Sequence, residues 1–322
     1  MTRAVLRALF CIAIVSMPFS ATAAGYPERP VRVIVGLTAG SGVDILARMV
    51  GAKLSEAMGQ PFVIENRPGA GSNIATRFAA TQPADGYTVF VATVANAINA
   101  TLYQHLQFDV LRDFTPVILA GTAPNVLIVN PVLPAKSVKE LIDLAKAQPG
   151  KFTIGSSGTG TSPQMTGELF RRRAGINLVH VPYKGGPEAT TALIGGQIDT
   201  LFAIASTALP QIESGKVRAL AVTSKQRTAL LPQVPTMNEA GLSGFEAVTW
   251  FGFTVPAGTP KEIVDKLNSE IGKVLAMPDV KQKLAAQGID TGGGTPEQFG
   301  AYMKDEFAKW GALVKETGMS AD

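Results

Sequence analysis

The sequence predicts an α/β fold, and three observations carry that prediction. Short β-branched runs alternate with amphipathic helical patterns along the chain. One unit, a strand followed by a loop of small residues and then a helix, occurs twice. A chain of 322 residues with 46% hydrophobic content can bury one large or two moderate cores without covalent staples.

The first unit begins with Val31 to Val35, a β-branched run that ends in Gly36-Leu37-Thr38-Ala39-Gly40-Ser41-Gly42. Ile45, Leu46, Met49, Val50, Leu54 and Met58 then recur at helical spacing, with Lys53 and Glu56 on the wet side and Gly59 as the stop. Phe62 to Ile64 reads as a strand, Asn66 to Asn73 as a loop, Ile74 to Ala80 as a short helix, and Tyr87 to Val91 as a strand after the Asp85-Gly86 turn.

The second unit is introduced by a capping box, Ser137 with Glu140, which opens a helix to about Lys146. Pro149-Gly150 ends that helix, and Lys151 to Ile154 reads as a strand. The loop Gly155-Ser156-Ser157-Gly158-Thr159-Gly160-Thr161-Ser162 follows, then Pro163 in a helical first turn, where proline is accepted, and then Met165, Leu169 and Phe170. Beyond it lie a helix around Ala189 to Ile194, strands over Asp199 to Ile204 and Ala219 to Thr223, and two helix starts, Thr259-Pro260-Lys261-Glu262 and Thr295-Pro296-Glu297-Gln298. Trp250 and Phe251 lie in an apolar segment and read as core or hinge packing rather than a stacking platform.

The N-terminus carries an address. Arg3 and Arg7, the apolar stretch Ala8 to Phe19 and the small residues Ala21-Thr22-Ala23 have the layout of a secretory signal peptide, with cleavage expected after Ala23 and 299 of the 322 residues remaining. The apolar stretch is too short to span a membrane, which takes about 20 residues. Cys11 follows bulky Phe10, which disfavours lipidation, and cleavage removes this single cysteine. The exported chain is then expected to have no disulfide, thiolate metal site or cysteine nucleophile.

Loss of Arg3 and Arg7 lowers Lys+Arg from 29 to 27 against 25 Asp+Glu, so the net charge falls from +4 to about +2. That balance argues against nucleic acid as a partner. The local exception, Arg171-Arg172-Arg173, reads as a solvated helix face or as a docking patch.

The chemistry is expected in the two loops. A helix's first turn has N–H groups without internal partners and the positive end of the helix dipole, so it attracts an anion without a cationic side chain. If Thr38 to Gly42 and Ser156 to Ser162 face one another, they form a pincer for a carboxylate; alternatively they are ordinary strand-to-helix turns, where Gly and Ser are common for steric reasons. Asp44, in the first turn of the first helix, reads as a residue that steadies loop amides, and Lys184 as an anion contact or a solvated turn residue.

Enzyme readings find less support. His105 and His180 have no carboxylate or second histidine at ligand spacing, so no metal site is expected. Neither Ser156 nor Ser157 lies in a Gly-x-Ser-x-Gly elbow, and no Gly-Lys-Ser/Thr phosphate loop exists. No catalytic residue and no cofactor is expected.

The markers Ala39-Gly40-Ser41-Gly42-Val43-Asp44-Ile45-Leu46-Ala47-Arg48, Glu65-Asn66-Arg67-Pro68-Gly69-Ala70-Gly71-Ser72-Asn73-Ile74 and Pro83-Ala84-Asp85-Gly86-Tyr87-Thr88 resemble the tripartite tricarboxylate transporter substrate-binding proteins, the Bug family. Val181-Pro182-Tyr183-Lys184-Gly185-Gly186, Gly195-Gly196-Gln197-Ile198-Asp199 and Pro256-Ala257-Gly258-Thr259-Pro260 extend the similarity over nearly all of the exported chain. The resemblance implies a two-lobed periplasmic-binding-protein fold of the second type, with a central cleft and two hinge crossings. The lobes are expected over 24–125 with 245–322 and over 126–244.

It further implies a monomeric receptor that binds a small organic carboxylate by lobe closure and delivers it to the permease subunits of a tripartite transporter. Carried over residue by residue, the ligand contacts would be Thr38, Ala39, Gly40, Ser41, Ser156, Ser157, Gly158, Thr159 and Thr161, with Asn96, Tyr183, Asp199 and Ser206 on the far side of the pocket. Two departures bear on ligand identity: many relatives carry Gly-Gly where this chain has Gly40-Ser41, and His where Gln164 stands. The alternatives are a receptor that reports to a membrane sensor and a secreted serine hydrolase using Ser156 or Ser157.

Overall fold

The structure, a computed structural model, describes residues 25–158, 160–183 and 185–321. The signal segment, Thr159 and Lys184 lie outside these residues. No helix among them is long and apolar enough to cross a membrane.

The chain opens β1 (Val31–Val35), α1 (Gly42–Met58), β2 (Phe62–Asn66), a 3₁₀ turn at Ala70–Ser72, α2 (Asn73–Ala80), β3 (Thr88–Thr93), α3 (Val94–Leu102), α4 (Val110–Asp113) and the long β4 (Phe114–Val129). It continues α5 (Val138–Ala147), β5 (Thr153–Ser156), α6 (Ser162–Ala174), β6 (Val179–Pro182), α7 (Gly186–Ile194), β7 (Thr200–Ile204), α8 (Ala205–Glu213) and β8 (Arg218–Val222). It closes with β9 (Val248–Pro256), α9 (Lys261–Ala276), α10 (Pro278–Ala286), β10 (Asp290–Gly293) and α11 (Pro296–Thr317). Strand and helix alternate as expected of an α/β protein.

Hydrogen-bonded strands run in the order β2-β1-β3-β9-β4-β7-β5-β6, with β8 and β10 also on β4. Two similar layouts sit at its ends. β1 is flanked by parallel β2 and β3, and β5 by parallel β6 and β7. In each, the chain leaves the first strand to one side and returns to the other. The crevice at the carboxyl end of the first strand is therefore a topological switch point, where open α/β sheets bind ligands.

β4 joins the two halves. It pairs with β9 from Phe114 to Pro124 and with β7 from Asn125 to Val129. A buried polar knot holds this transition: Asn125 N donates to Thr223 Oγ1 at 2.9 Å, and Thr223 Oγ1 donates to Ala247 O at 2.6 Å. Asn125 Nδ2 reaches Ser162 Oγ at 2.9 Å and Thr166 Oγ1 at 3.1 Å in the first turns of α6. The point where the chain changes sheets is thus tied to the helix that carries the second loop.

Packing follows from composition. β9 is buried at all nine positions, as a continuous apolar run covered on both faces must be. Gly252 in its middle has a reason: a Cβ there would lie 2.0 Å from Phe299 Cζ, so only glycine lets α11 seat its Phe299 ring on the strand. Glu306 of α11, 5% exposed, accepts from Trp250 Nε1 at 3.1 Å and Trp310 Nε1 at 2.8 Å and pairs with Lys309. A buried carboxylate is tolerated only with such partners.

Two local expectations need correction. β5 runs over Thr153–Ser156 rather than from Lys151 to Ile154, because its parallel pairing with β6 extends to Ser156 against Pro182. Thr259 does not cap α9: its hydroxyl donates to Pro256 O at 2.7 Å, and the helix starts after Pro260 without a side-chain cap. The box at Thr295 and Gln298 forms as read, with Thr295 N donating to Gln298 Oε1 at 2.9 Å.

Candidate functional site

The loop from β1 to α1 is rigid and exposed at its tip. Leu37, Thr38, Ala39 and Gly40 are exposed. Beneath them, Asp44, 2% exposed, accepts Gly40 N at 2.8 Å, Arg48 Nε at 3.0 Å and Asn66 Nδ2 at 2.8 Å. Asn66 Nδ2 also donates to Leu37 O at 3.0 Å. Burial pushes the Asp44 carboxyl upward, but Arg48, the Gly40 amide and Asn66 together outweigh it and hold the group below its ordinary value. Asp44 therefore steadies loop amides, as the sequence suggested.

What this network leaves open is the start of α1. The Ser41 side chain makes no cap hydrogen bond, and Ser41 Oγ is buried with no partner among the described residues. First-turn amides have no intrahelical acceptor either. Two further buried hydroxyls lack partners close by: Ser72 Oγ, which would lie 1.7 Å from a Cβ at Gly36, and Thr93 Oγ1 at the carboxyl end of β3. Buried polar groups are normally paired, so three unpaired hydroxyls at one switch point mark a place prepared for a polar guest. Ser72 and Thr93 were not singled out as contacts from the sequence, because a hydroxyl's lack of partner is visible only in three dimensions.

The second loop is built differently. Gly160 N donates to Gln164 Oε1 at 2.7 Å, Gln164 N to Thr161 Oγ1 at 3.4 Å, and Thr161 Oγ1 to Gly158 O at 2.7 Å. Gly158 N points to Ser156 Oγ at 3.4 Å. Much of the donor capacity expected of this half of the pincer is thus answered by its own side chains. Ser157 and Gly158 are partly buried.

The structure brings the two loops into one region. A Cβ on Gly160 would lie 2.9 Å from Leu102 Cδ2 and 3.2 Å from Asn99 Oδ1 of α3. Asn99 Nδ2 donates to Gly71 O at 2.7 Å, and the 3₁₀ turn there meets Gly36 at the base of the first loop. On another side, a Cβ on Gly42 would meet Ile289 Cδ1 at 3.9 Å, and one on Gly288 would meet Ser206 N at 3.0 Å. Ser206, at the carboxyl end of β7, is thereby close to the start of α1.

Three nominated residues are placed or engaged elsewhere. Asp199 lies at the opposite end of β7, where it accepts Thr153 N and Thr153 Oγ1, both at 2.8 Å. Asn96 is 1% exposed, with Oδ1 accepting Thr93 N at 2.8 Å and Nδ2 donating to Thr76 Oγ1 at 2.8 Å. Ser156 is fully buried, its Oγ 2.8 Å from His180 Nε2. His180, which looked solitary in the sequence, is the partner of a serine, yet that hydroxyl is sealed from solvent and cannot serve as an acyl acceptor. Tyr183 N donates to Ser156 O at 3.0 Å, and a Cβ at Gly155 would lie 3.7 Å from its ring, so Tyr183 lines the base of the second loop.

Known proteins share this fold. A protein of Rhodopseudomonas palustris, Rpa4515, solved with adipate, is 37% identical, with a TM-score of 0.80 over 92% of this chain and 99% of that one. MatC from Rhodopseudomonas palustris, with bound malate, is 30% identical, with a TM-score of 0.76 over 90% of this chain and 100% of that one. Among curated relatives, BugT of Bordetella pertussis is 36% identical over 322 residues, covering 99% of this chain and 98% of BugT. The protein of the tcbD-tcbE intergenic region of Pseudomonas sp. strain P51 is 38% identical over 298 residues, 92% of this chain and 89% of that one. The model of the tripartite tricarboxylate transporter family receptor, TctC, matches residues 46–319, and with fold, loops and relatives in agreement the chain belongs to that family of periplasmic solute-binding receptors.

Proposed function

We propose that this receptor closes two lobes, 24–125 with 245–322 and 126–244, around one small organic carboxylate and hands it to the permease subunits of a tripartite transporter. The observation that carries the reading is the uncapped start of α1 with Ser41, Ser72 and Thr93 unpaired beside it. Amides at a helix start together with buried hydroxyls offer an oxyanion hydrogen bonds without a counter-charge. Asp44 below supplies a negative charge that Arg48 balances, so selectivity for carboxylate over neutral ligands arises from the dipole and the hydroxyls.

Adipate on Rpa4515 and malate on MatC support a di- or hydroxycarboxylate as guest. Closure would bring Ser157, Gly158 and Thr161 of the second loop, with Thr159, onto the same ligand, while Thr38, Ala39, Gly40 and Ser41 hold it from below. The chain would act after export and cleavage near Ala23, as a binding protein without catalysis. A thermal-shift screen over mono-, di- and tricarboxylates tests the reading. One or a few acids should raise the melting temperature, and no hydrolysis of generic esters should accompany binding. A library that leaves melting unmoved would remove the basis for the proposal.

A further inference from the structure

Away from the first loop, β5, β6, α6 and the C-terminal tail enclose a cavity of about 220 Å³. Gln164, Glu168, Arg171, His180, Thr317 and Met319 line it, and no residue of the β1–α1 loop does. Two of these side chains, Arg171 and Gln164, have donor capacity that the fold does not use fully. Arg171 gives Nη1 to Glu168 Oε2 at 2.7 Å, and its Nε, closed to solvent, has no partner among the described residues. Gln164 commits Oε1 to Gly160, which leaves its NH₂ as a donor. His180 Nε2 lies against Ser156 Oγ. Burial and the nearby Arg171 charge hold this imidazole below its ordinary pKa, so it is neutral at pH 7.

The carboxylate at the rim does not close the cavity to anions. Glu168 is engaged by Arg171 at 2.7 Å and lies 3.9 Å from Arg172, which also pairs with Glu316 at 3.2 Å. The remaining wall includes apolar Ile154, Pro163 and Met319, and the Thr317 hydroxyl in it donates to Leu313 O and Val314 O of its own helix. Donors on one side and a short apolar wall on the other suit a molecule with one charged head and little else.

We propose that this cavity is a second ligand site that takes a short-chain monocarboxylate, its head on the Arg171 guanidinium and Gln164 Nε2 beside the His180 ring and its methyl end against Ile154 and Met319. Gln164 also holds Gly160, and His180 holds Ser156, so an occupant here acts on the loop that meets α3. Coupling of this kind is reciprocal: cleft ligand and accessory ligand each change the other's affinity by the same factor.

The chain contains two histidines, and His105 is exposed and lines a different cavity, with Tyr103, Leu106 and Phe108. Imidazole NMR resonances during a sodium acetate titration, with sodium chloride at matched ionic strength as control, provide the test. His180 should shift saturably with acetate alone while His105 stays still. Arg171→Gln should weaken the effect about tenfold or more, the loss of a charge-assisted hydrogen bond, and Met319→Trp, which fills the cavity from the tail, should abolish it. Ser41→Ala should leave it intact, which separates this site from the cleft. A shift that chloride reproduces, that survives both Arg171→Gln and Met319→Trp, or that disappears in Ser41→Ala overturns the proposal.

Discussion

Gly160 gives its amide to Gln164 Oε1 at 2.7 Å, across the same four-residue reach by which Gly40 gives its amide to Asp44 Oδ2 at 2.8 Å. In both loops a left-handed glycine, φ +73° and +82°, precedes a hydroxyl N-cap, and a side chain in the first helical turn reaches back to that glycine. The two halves share one device with one difference: the acceptor is charged in the first loop and neutral in the second. At the second helix Thr161 completes the cap, whereas at the first Ser41 does not. The unsatisfied half of the pincer is therefore the first one.

Asp44→Asn tests the charged version of this device. Folding lowers the carboxyl's pKa from its ordinary 3.8, so Asp44 contributes stability that is fully present above that value and is lost as pH falls through the lower folded value. The variant should be less stable than the parent by about 1–3 kcal/mol at neutral pH, and the gap should shrink below about pH 4. Urea unfolding across pH reads both; a gap that stays constant into strong acid would show that Asp44 acts through shape alone.

Ser41→Ala removes a buried hydroxyl that has no partner among the described residues. An unpaired buried hydroxyl is unfavourable, so the unliganded variant should melt at the same temperature or slightly higher. Affinity for the best acid from the carboxylate screen should fall about tenfold, roughly 1.4 kcal/mol. Calorimetry measures the second and a melting scan the first; lower stability with unchanged affinity would assign Ser41 to the fold instead.

Most elements were legible because their signals are local. Helical spacing marked α1, and half of the box at Ser137 forms: Glu140 N donates to Ser137 Oγ at 3.2 Å, while Glu140 Oε2 accepts Lys136 N at 2.7 Å rather than Ser137 N. The long β4 was not read, since its sixteen residues serve two sheets and show no single alternation. At the site, residue types indicated both loops but not which groups remain free. Asp199 illustrates the limit: the strand that starts there was read, but that its amino end lies beside Thr153, away from the loops, follows from the register of Thr200 with Ile154, a long-range pairing that no local pattern contains.

Gln164→Ala frees the Gly160 amide and loosens the second loop where it meets Asn99 and Leu102. A more mobile loop has more entropy to lose on closure. Affinity should drop by about fivefold to tenfold, near 1 kcal/mol, with a slower association rate in stopped-flow fluorescence. Gln164→His should restore binding if an acceptor at this position is what matters. Equal loss in both variants would assign the effect to packing.

Asn125→Leu tests whether the polar knot at the sheet transition governs closure. The substitution keeps bulk but leaves Ser162 Oγ and Thr166 Oγ1 without this donor in a buried place, while the Ala247 carbonyl keeps Thr223 Oγ1. Buried groups stranded this way cost about 1–3 kcal/mol, so the melting temperature should fall. Because the same amide ties β4 to the first turns of α6, the ligand-dependent compaction that the proposed lobe closure predicts, read by small-angle X-ray scattering, should also weaken, even though Asn125 belongs to neither loop. Asn125→Asp separates the two effects: it keeps an acceptor but loses the donor to Ser162 and Thr166. If the knot governs closure, Asn125→Asp reduces compaction as Asn125→Leu does; a variant that is merely less stable yet compacts fully would confine Asn125 to holding the fold.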